Sequence, residues 1–556
     1  MKKKFAKGCL VKRLMIAAWA AVPLIACSPQ SNNNDSATTQ TEQVAETPNY
    51  VPHGWLAKTL PEIAAGIKAG EVTSEELVQS YIARINRVDW DGPTLQSVLS
   101  LNPNALADAR AADAKRVRGE TLGLLHGVPI LLKDNIESKD LVATTAGALA
   151  LKDNITGRDS PLVAGLRDAG AIILGKANLS QWANFRSNDS MSGWTALGGQ
   201  VRNPHMLDRN PCGSSSGSGA GAAASMAAGT VGTETNGSVI CPSNANGIVG
   251  FKPTVGLVSQ QYIVPISSSQ DTAGPMTKSV TGAAMMLNAM ATGDAKTDYV
   301  AALDVDMLRG KRVGVLRYSQ GRNNDVIEKF NAALKVLEDA GAVLVEIDER
   351  PEFPSDFGTS ALNVLYYEFK STLNEYLADT PDTVKTRTLS DVIAFNLDNA
   401  DVELALYDQS IFDASEETTD LNDPVYTKAR DSIQAATRAG GIDKLLADNN
   451  VDILVAPTGA PSSRIDPING DVWPPFPGAG SMAAIAGYPH ITVPAGTIHN
   501  LSVGFSFIGA KDEDAKVLSY GYAYEQLTNL RAEPQYLNSA EDLPDVAAAM
   551  RRKNFD

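Results

Sequence analysis

Residues 212–253 read CGSSSGSGAGAAASMAAGTVGTETNGSVICPSNANGIVGFKP, and the interpretation of the whole chain depends on this stretch. Gly, Ser and Ala dominate its first half. Side chains this small let a helix or loop pack closely against a sheet, and glycine lets backbone amides approach a ligand or a reacting centre. Glycine- and serine-rich composition is also typical of ordinary loops. The order of the residues, and not their composition alone, therefore shows whether this stretch is a functional site.

Further segments of distinctive composition lie on either side of this stretch. Within it, GSSSGS at 213–218 and GTETNGSV at 232–239 are separated by an Ala-rich segment. Upstream, GVPILLKDN at 127–135 is an apolar run that ends at a lysine. Downstream lie AGYP at 486–489 and VGFSFIG at 503–509. A set of separated segments in this order along the chain indicates the sequence pattern of a protein family.

These segments resemble those of the amidase signature family, and the similarity extends from about residue 60 to 525. The run GKANLSQWANFRSNDSMSGWTALGGQVRNP at 175–204 is most similar to the peptide amidase branch, whose members hydrolyse the C-terminal carboxamide of peptides. The resemblance implies a single α/β domain over residues 51–556, with a mixed β-sheet covered by helices on both sides. It also implies an amide hydrolase that needs no metal and no organic cofactor.

By the same resemblance, Ser238 is the nucleophile, Ser214 the bridging serine and Lys133 the base. A serine hydroxyl is a poor nucleophile until a base removes its proton. Lysine can be that base only when neutral, and desolvation at the end of an apolar strand lowers its pKa. Family members place the bridging serine after a cis peptide bond. The neighbouring Ser215 and Ser216 leave some choice of bridging serine, although Ser214 fits the family spacing best.

The same family implies an oxyanion hole of backbone N–H groups. The matching positions are Thr235, Asn236, Gly237 and Ser238. Three residues here depart from the family pattern. Glu234 replaces an aspartate, Asn236 replaces a glycine, and Ile240 replaces an arginine, so an acid–arginine contact beside the nucleophile is expected to be missing. None of these changes removes a catalytic residue.

Other interpretations of the same residues are weaker. Residues 213–217 also fit the Gly-x-Ser-x-Gly nucleophile elbow, but the preceding 201–211 contain two prolines and do not read as the strand that motif requires. His126 and His490 read as structural residues, and none of the five histidines has a metal-ligand spacing. Asp134 and Asn135 could orient Lys133 or simply turn the chain.

Alternative functions remain open from the sequence alone. The chain could hydrolyse small aryl or aliphatic amides, or it could be a surface lipoprotein that binds amides or peptides without cleaving them. Retention of Lys133, Ser214 and Ser238 opposes the non-catalytic interpretation. The family also contains subunits of transamidation complexes that act on tRNA, but the charge and the leader sequence oppose that role.

Hydrophobic periodicity independently indicates α/β architecture. Short apolar runs at 128–132 and 171–174 predict buried strands, and residues 311–348 read strand, helix, strand. Residues 452–457 and 491–494 read as further strands. The region 350–450 has a helical pattern. Strands that alternate with helices favour a largely parallel sheet.

The beginning of the chain reads as a targeting segment. Residues 1–26 combine a basic start with a short apolar run and end before Cys27 as in bacterial lipoprotein signals. We expect residues 1–26 to be removed, Cys27 to take a diacylglyceryl group, and residues 27–50 to form a flexible polar tether. On this interpretation the protein is exported and lipid-anchored to a bacterial membrane, on the periplasm-facing or outer membrane side.

Charge and cysteine content exclude several classes. The formal net charge is −16, and without residues 1–26, which carry six Lys/Arg and no acid, it becomes −22. That balance opposes binding to nucleic acid. Four cysteines are too few for a disulfide scaffold. Cys212 and Cys241 could pair, but two buried thiols are the favoured interpretation. The sequence does not decide the oligomeric state.

Overall fold

The computed structural model describes residues 50–294, 296–472 and 477–551. Its strands, in chain order, are β1 Val98–Leu101, β2 Pro129–Lys133, β3 Ile172–Ala177, β4 Trp194–Thr195, β5 Gly199–Gln200, β6 Gly229–Glu234, β7 Val249–Lys252, β8 Thr272–Thr277, β9 Arg312–Leu316, β10 Val343–Ile347, β11 Ile453–Pro457, β12 His490–Ile498 and β13 Leu501–Ile508.

Eleven of these strands form one mixed sheet in the order β1-β3-β2-β6-β8-β7-β12-β13-β11-β9-β10, and β4 and β5 form a separate ribbon. Pairing is parallel between β3, β2 and β6 and between β11, β9 and β10. It is antiparallel through the middle, from β6 to β11. The strand–helix alternation predicted a largely parallel sheet, but the five consecutive pairs from β6 to β11, including the β12–β13 hairpin, are antiparallel.

The described residues also form α-helices. They are α1 Leu60–Ala69, α2 Ser74–Arg84, α3 Ala105–Val117, α4 Pro161–Asp168, α5 Ser216–Ala223, α6 Ile240–Asn246, α7 Val280–Met290, α8 Asn324–Asp339, α9 Phe357–Ala378, α10 Leu389–Asp398, α11 Ala400–Glu403, α12 Ser410–Glu416, α13 Pro424–Thr437, α14 Asp443–Asp448, α15 Gly480–Ala486, α16 Asp514–Thr528 and α17 Pro544–Met550.

The predicted α/β class with a mixed sheet is confirmed. Every residue of the central strands β2, β6 and β8 is buried, as expected for a sheet that is covered on both faces. The predicted strands all form, and the region 350–450 is helical. Thr73 and Glu76 make the reciprocal hydrogen bonds of a capping box at the start of α2.

The small residues of 212–253 allow a buried helix to pack on the sheet. All eight residues of α5 are buried, and this helix packs against β6. A Cβ atom at Gly217 would lie 2.3 Å from the backbone oxygens of both Ser97 and Asn178. A side chain there would force α5 away from the sheet, so the position requires glycine.

The predicted signal peptide at 1–26, the lipidation of Cys27 and almost all of the tether at 27–50 lie outside the described residues, and these remain predictions. Among the residues that are described, no helix is both long enough and apolar enough to cross a bilayer.

Candidate active site

Lys133 is the last residue of β2, between β3 and β6 in the sheet. Its Nζ donates hydrogen bonds to Ser214 Oγ at 2.8 Å, to Thr233 Oγ1 at 2.8 Å and to the Thr233 carbonyl at 3.3 Å. Thr233 comes from the neighbouring strand β6, so the pairing of β2 with β6 places the lysine and its partners together. The apolar run before Lys133 buries the amine completely.

The electrostatics of this position favour a neutral amine. Burial lowers the pKa of Lys133 from its usual 10.5 to about 7, and the nearby carboxylates of Asp271 and Glu234 partly oppose that shift. Burial in turn raises the pKa of Asp271 to about 6. Lys133 therefore has a large neutral fraction at neutral pH and can accept a proton.

The three consecutive serines, Ser214, Ser215 and Ser216, have different hydrogen-bond partners. Ser214 is the one that contacts Lys133, and the peptide bond before it, Gly213–Ser214, is cis. The Ser215 hydroxyl donates to the Thr233 carbonyl at 3.0 Å, and the Ser216 hydroxyl lies 3.2 Å from that of Ser180. Ser214 thus has the contact and the cis bond that the resemblance implied for the bridging serine.

Ser238 lies in the turn between β6 and α6 and is half-buried. Its carbonyl accepts a hydrogen bond from the Ser215 N–H at 3.2 Å, which joins this turn to the serine loop. The Ser238 hydroxyl has no hydrogen-bond partner among the described residues, so the structure does not hydrogen-bond it directly to Ser214. The backbone N–H groups of residues 235–238 likewise donate to no acceptor in the part of the chain that is described. An oxyanion hole needs backbone N–H groups that have no acceptor within the protein, and these four meet that requirement.

Glu234 holds the turn that carries Ser238. Its Oε2 accepts the backbone N–H groups of Val239 at 2.8 Å and Ile240 at 3.0 Å, at the start of α6. A carboxylate at a helix N-terminus is stabilised by the unpaired amides there. Residue 240 is isoleucine and cannot supply the arginine contact, as expected. The Glu234 carboxylate contacts backbone N–H groups instead.

Cys212 and Cys241 form a disulfide, with an S–S distance of 1.96 Å, so the favoured interpretation of two free buried thiols was wrong. The pairing follows from the fold. Cys212 comes two residues before Ser214 and Cys241 three residues after Ser238, and the sheet brings the two loops side by side. The bond covalently joins the loop that carries Ser214 to helix α6, which follows Ser238.

This bond should stabilise the fold. Replacing both cysteines by alanine is expected to lower the free energy of unfolding by about 3–4 kcal/mol, because a crosslink across a loop of this length limits the entropy of the unfolded chain. The separation of the two residues is 29. Urea denaturation of the double variant and of the parent protein measures the difference. Dithiothreitol should lower the midpoint of the parent and leave that of the variant unchanged, and equal midpoints without reductant would contradict the prediction.

A cavity of about 470 Å³ adjoins this cluster. Its lining includes Asn135 and Thr233, which contact Lys133 or its partners, together with Thr235, Tyr262 and residues of α9. The volume lies within the range of pockets that enclose small organic ligands or short peptides, about 300–1,000 Å³. A substrate in this cavity would lie beside the buried lysine.

Several residues of the cavity were not predicted. Thr372, Glu375 and Tyr376 of α9 line it, although the helical pattern of this region gave no sign of a role. The buried carboxylate of Glu368 fixes α9 to the cavity wall, because its Oε2 accepts the Ser269 N–H at 3.0 Å. Helical periodicity shows which face of α9 is buried, but it does not show that another face of this helix lines a cavity.

The remaining candidates have structural partners. Asp134 Oδ2 accepts the Thr145 N–H at 3.2 Å and holds the loop beside Trp182, while its neighbour Asn135 contacts the cluster itself. His126 lies 3.0 Å from the Ala112 carbonyl and His490 lies 2.7 Å from Ser506 Oγ, both away from Lys133 and its partners. No group of three potential metal ligands occurs in the described ranges.

The serine loop is not a nucleophile elbow. In the described structure, residues 201–215 contain no strand of the sheet, and α5 begins at Ser216. That motif requires a strand running directly into the serine.

Comparison with known proteins shows which family this chain is similar to. The amidase family model matches residues 76–518, a range that includes Lys133, Ser214 and Ser238. The native peptide amidase of Stenotrophomonas maltophilia has a similar structure, with a TM-score of 0.82 and 43% sequence identity, over 87% of this chain and 100% of that chain.

Two curated proteins extend the similarity to other organisms. A probable amidase of Arabidopsis thaliana is 34% identical over 499 residues, which cover 86% of this chain and 91% of that protein. A glutamyl-tRNA(Gln) amidotransferase subunit of Halorhodospira halophila is 34% identical over 504 residues, which cover 85% of this chain and 97% of that protein. The similarity therefore covers most of the chain and is not confined to the segments that carry Lys133, Ser214 and Ser238.

Proposed function

This chain belongs to the amidase family and is a serine amidase that hydrolyses amides, and we propose that its substrates are peptides carrying a C-terminal carboxamide. The observation that supports this choice most strongly is its similarity to the peptide amidase of Stenotrophomonas maltophilia over 87% of this chain and 100% of that chain. The 470 Å³ cavity beside Lys133 is large enough for the last residues of a peptide.

In the proposed reaction, neutral Lys133 accepts the Ser214 proton while Ser214 accepts that of Ser238. Ser238 Oγ attacks the amide carbon, and the carbonyl oxygen becomes an oxyanion that accepts hydrogen bonds from the N–H groups of residues 235–238. The proton then returns from Lys133 through Ser214 to the amide nitrogen. The C–N bond breaks, its electron pair stays on nitrogen, and ammonia leaves.

The second half of the reaction regenerates the enzyme. Water attacks the ester between the substrate and Ser238, and Lys133 again accepts the proton through Ser214. The peptide acid leaves, and Ser238 regains its proton from the same relay. The pKa of Lys133, lowered by burial to about 7, supports both proton transfers because the amine can lose and regain a proton near neutral pH.

A substrate panel tests the proposal. Protein without residues 1–27 is expected to release ammonia from a short peptide amide and none from the same peptide with a free C-terminal acid, because the internal amide bonds are not substrates. Simple aryl and aliphatic amides are measured in parallel. We expect kcat/KM for the peptide amide to exceed that for the simple amides at least about tenfold, since binding of the peptide contributes to the transition state.

Other results would indicate other functions. Turnover of the simple amides alone would identify a small-amide hydrolase and contradict the peptide substrate. A folded protein that turns over none of these compounds would contradict the peptide amidase assignment.

A further inference from the structure

The side chain of Asn135 is held in one orientation beside the base. Its Nδ2 donates to Thr233 Oγ1 at 3.0 Å, and the same oxygen accepts the Lys133 Nζ hydrogen bond at 2.8 Å. The Asn135 carbonyl also accepts the Val264 N–H at 2.8 Å, which joins its backbone to the cavity wall. The backbone of Asn135 is therefore fixed to the cavity wall, and its side-chain amide is held through Nδ2.

The other end of this amide has no partner. Asn135 is 3% exposed, and its Oδ1 is buried without a hydrogen bond among the described residues. A buried acceptor without a donor is unfavourable and is uncommon in native proteins. Because Asn135 lines the cavity, a bound molecule with an N–H group could supply the missing donor.

Neighbouring acceptors in the cavity are already occupied. The two carboxylate oxygens of Asp271 accept the Thr235 hydroxyl and the backbone N–H groups of Ile266 and Ser267. Thr233 Oγ1 accepts two hydrogen bonds. Among the described residues that line this cavity, Asn135 Oδ1 is the buried side-chain oxygen with no hydrogen-bond partner at all.

We propose that Asn135 Oδ1 accepts a hydrogen bond from the carboxamide nitrogen of the substrate. This inference rests on the proposed amide hydrolysis. The leaving nitrogen must approach the relay of Lys133 and Ser214 to receive its proton, and Asn135 is joined to Lys133 through a single oxygen atom. Holding one N–H of the nitrogen turns its lone pair toward the proton donor as the C–N bond breaks.

This role makes Asn135 a determinant of amide over ester specificity. The leaving oxygen of a methyl ester carries no hydrogen and cannot donate to Asn135 Oδ1. A site with an acceptor placed for a substrate N–H loses that contact with the ester and leaves its own oxygen unpaired. Loss of the acceptor should therefore slow the hydrolysis of amides and leave that of esters nearly unchanged.

The test compares one peptide as its C-terminal amide and as its methyl ester. Asn135→Leu is expected to lower kcat/KM for the amide about 30-fold or more and that for the ester less than threefold, as the loss of a single hydrogen bond in a buried site predicts. Asn135→Asp keeps an acceptor at the same place. It should retain the wild-type amide-to-ester ratio within threefold at a pH high enough to keep Lys133 neutral.

Controls separate this role from a structural one. Gln261→Leu removes another polar side chain from the cavity wall and should leave the ratio unchanged. An equal loss on amide and ester in Asn135→Leu would overturn the inference, because it would mean that Asn135 acts through Thr233 and Lys133. An unchanged ratio in both Asn135 variants would also overturn it.

Failure of the proposed function would be visible in the wild-type protein, as no turnover of the peptide amide. The same ratio is then measured with a simple aliphatic amide and its methyl ester, where the expected effect of Asn135→Leu is the same. A wild-type protein that turns over neither amide would overturn the inference together with the proposed function.

Discussion

Ser238→Ala should reduce kcat for amide hydrolysis about 10⁶-fold, which is the loss seen when a serine hydrolase loses its nucleophile. The hydroxyl has no hydrogen-bond partner among the described residues, and the backbone N–H groups of residues 235–238 have no acceptor there. Alanine therefore removes the attacking oxygen and leaves no buried donor or acceptor without its partner. The variant should fold normally and still bind substrate. Ammonia release under saturating peptide amide measures the loss.

Ser216→Ala is the matched control for this prediction. It removes a hydroxyl of the same serine loop that contacts the Ser180 hydroxyl and does not contact Lys133. We expect its kcat to stay within a few-fold of the parent value. The Ser214→Ala/Ser238→Ala double variant should be no slower than Ser238→Ala alone, since residues that act as one unit lose activity together. Substantial activity in Ser238→Ala would contradict its role as nucleophile.

The contact between Lys133 and Ser214 could be anticipated because it depends on features with a strong sequence signal. An apolar run that ends at a lysine specifies a buried strand with a charge at its end, and the spacing of the glycines and serines specifies the two loops. The resemblance to a family then placed these segments together. The geometry of 2.8 Å between Lys133 Nζ and Ser214 Oγ agrees with that placement.

Pairwise contacts between distant loops could not be anticipated in the same way. The bond between Cys212 and Cys241 forms only if the two segments that carry them lie close together in the fold. A sequence separation of 29 residues is compatible with such an approach but does not predict it. For Asn135, turning the chain and contacting the site were equally consistent with its position after Lys133. The choice depends on Thr233, which reaches Asn135 because β6 pairs with β2.

Lys133→Met should abolish measurable hydrolysis at neutral pH, with a loss of at least about 10³-fold in kcat/KM, because general base catalysis and activation of the nucleophile both depend on this amine. In the parent protein, kcat/KM should rise with pH and level off above a pKa of about 7, to which burial lowers the pKa of Lys133. Protonation at lower pH fills the lone pair that accepts the serine proton. Activity should therefore fall tenfold for each unit of pH well below that value.

Lys278→Met distinguishes the base from buried lysines in general. Burial also lowers the pKa of Lys278 to about 7, but its Nζ donates to the Leu56 carbonyl at 2.9 Å and contacts neither serine. Its replacement should leave the fall of kcat/KM at low pH unchanged. If the pH of that fall shifted in Lys278→Met, or if Lys133→Met kept the parent pH profile, the pH dependence would belong to another group. Because burial lowers the pKa of both lysines to about 7 while their partners differ, the comparison isolates what contact with Ser214 adds to a neutral amine.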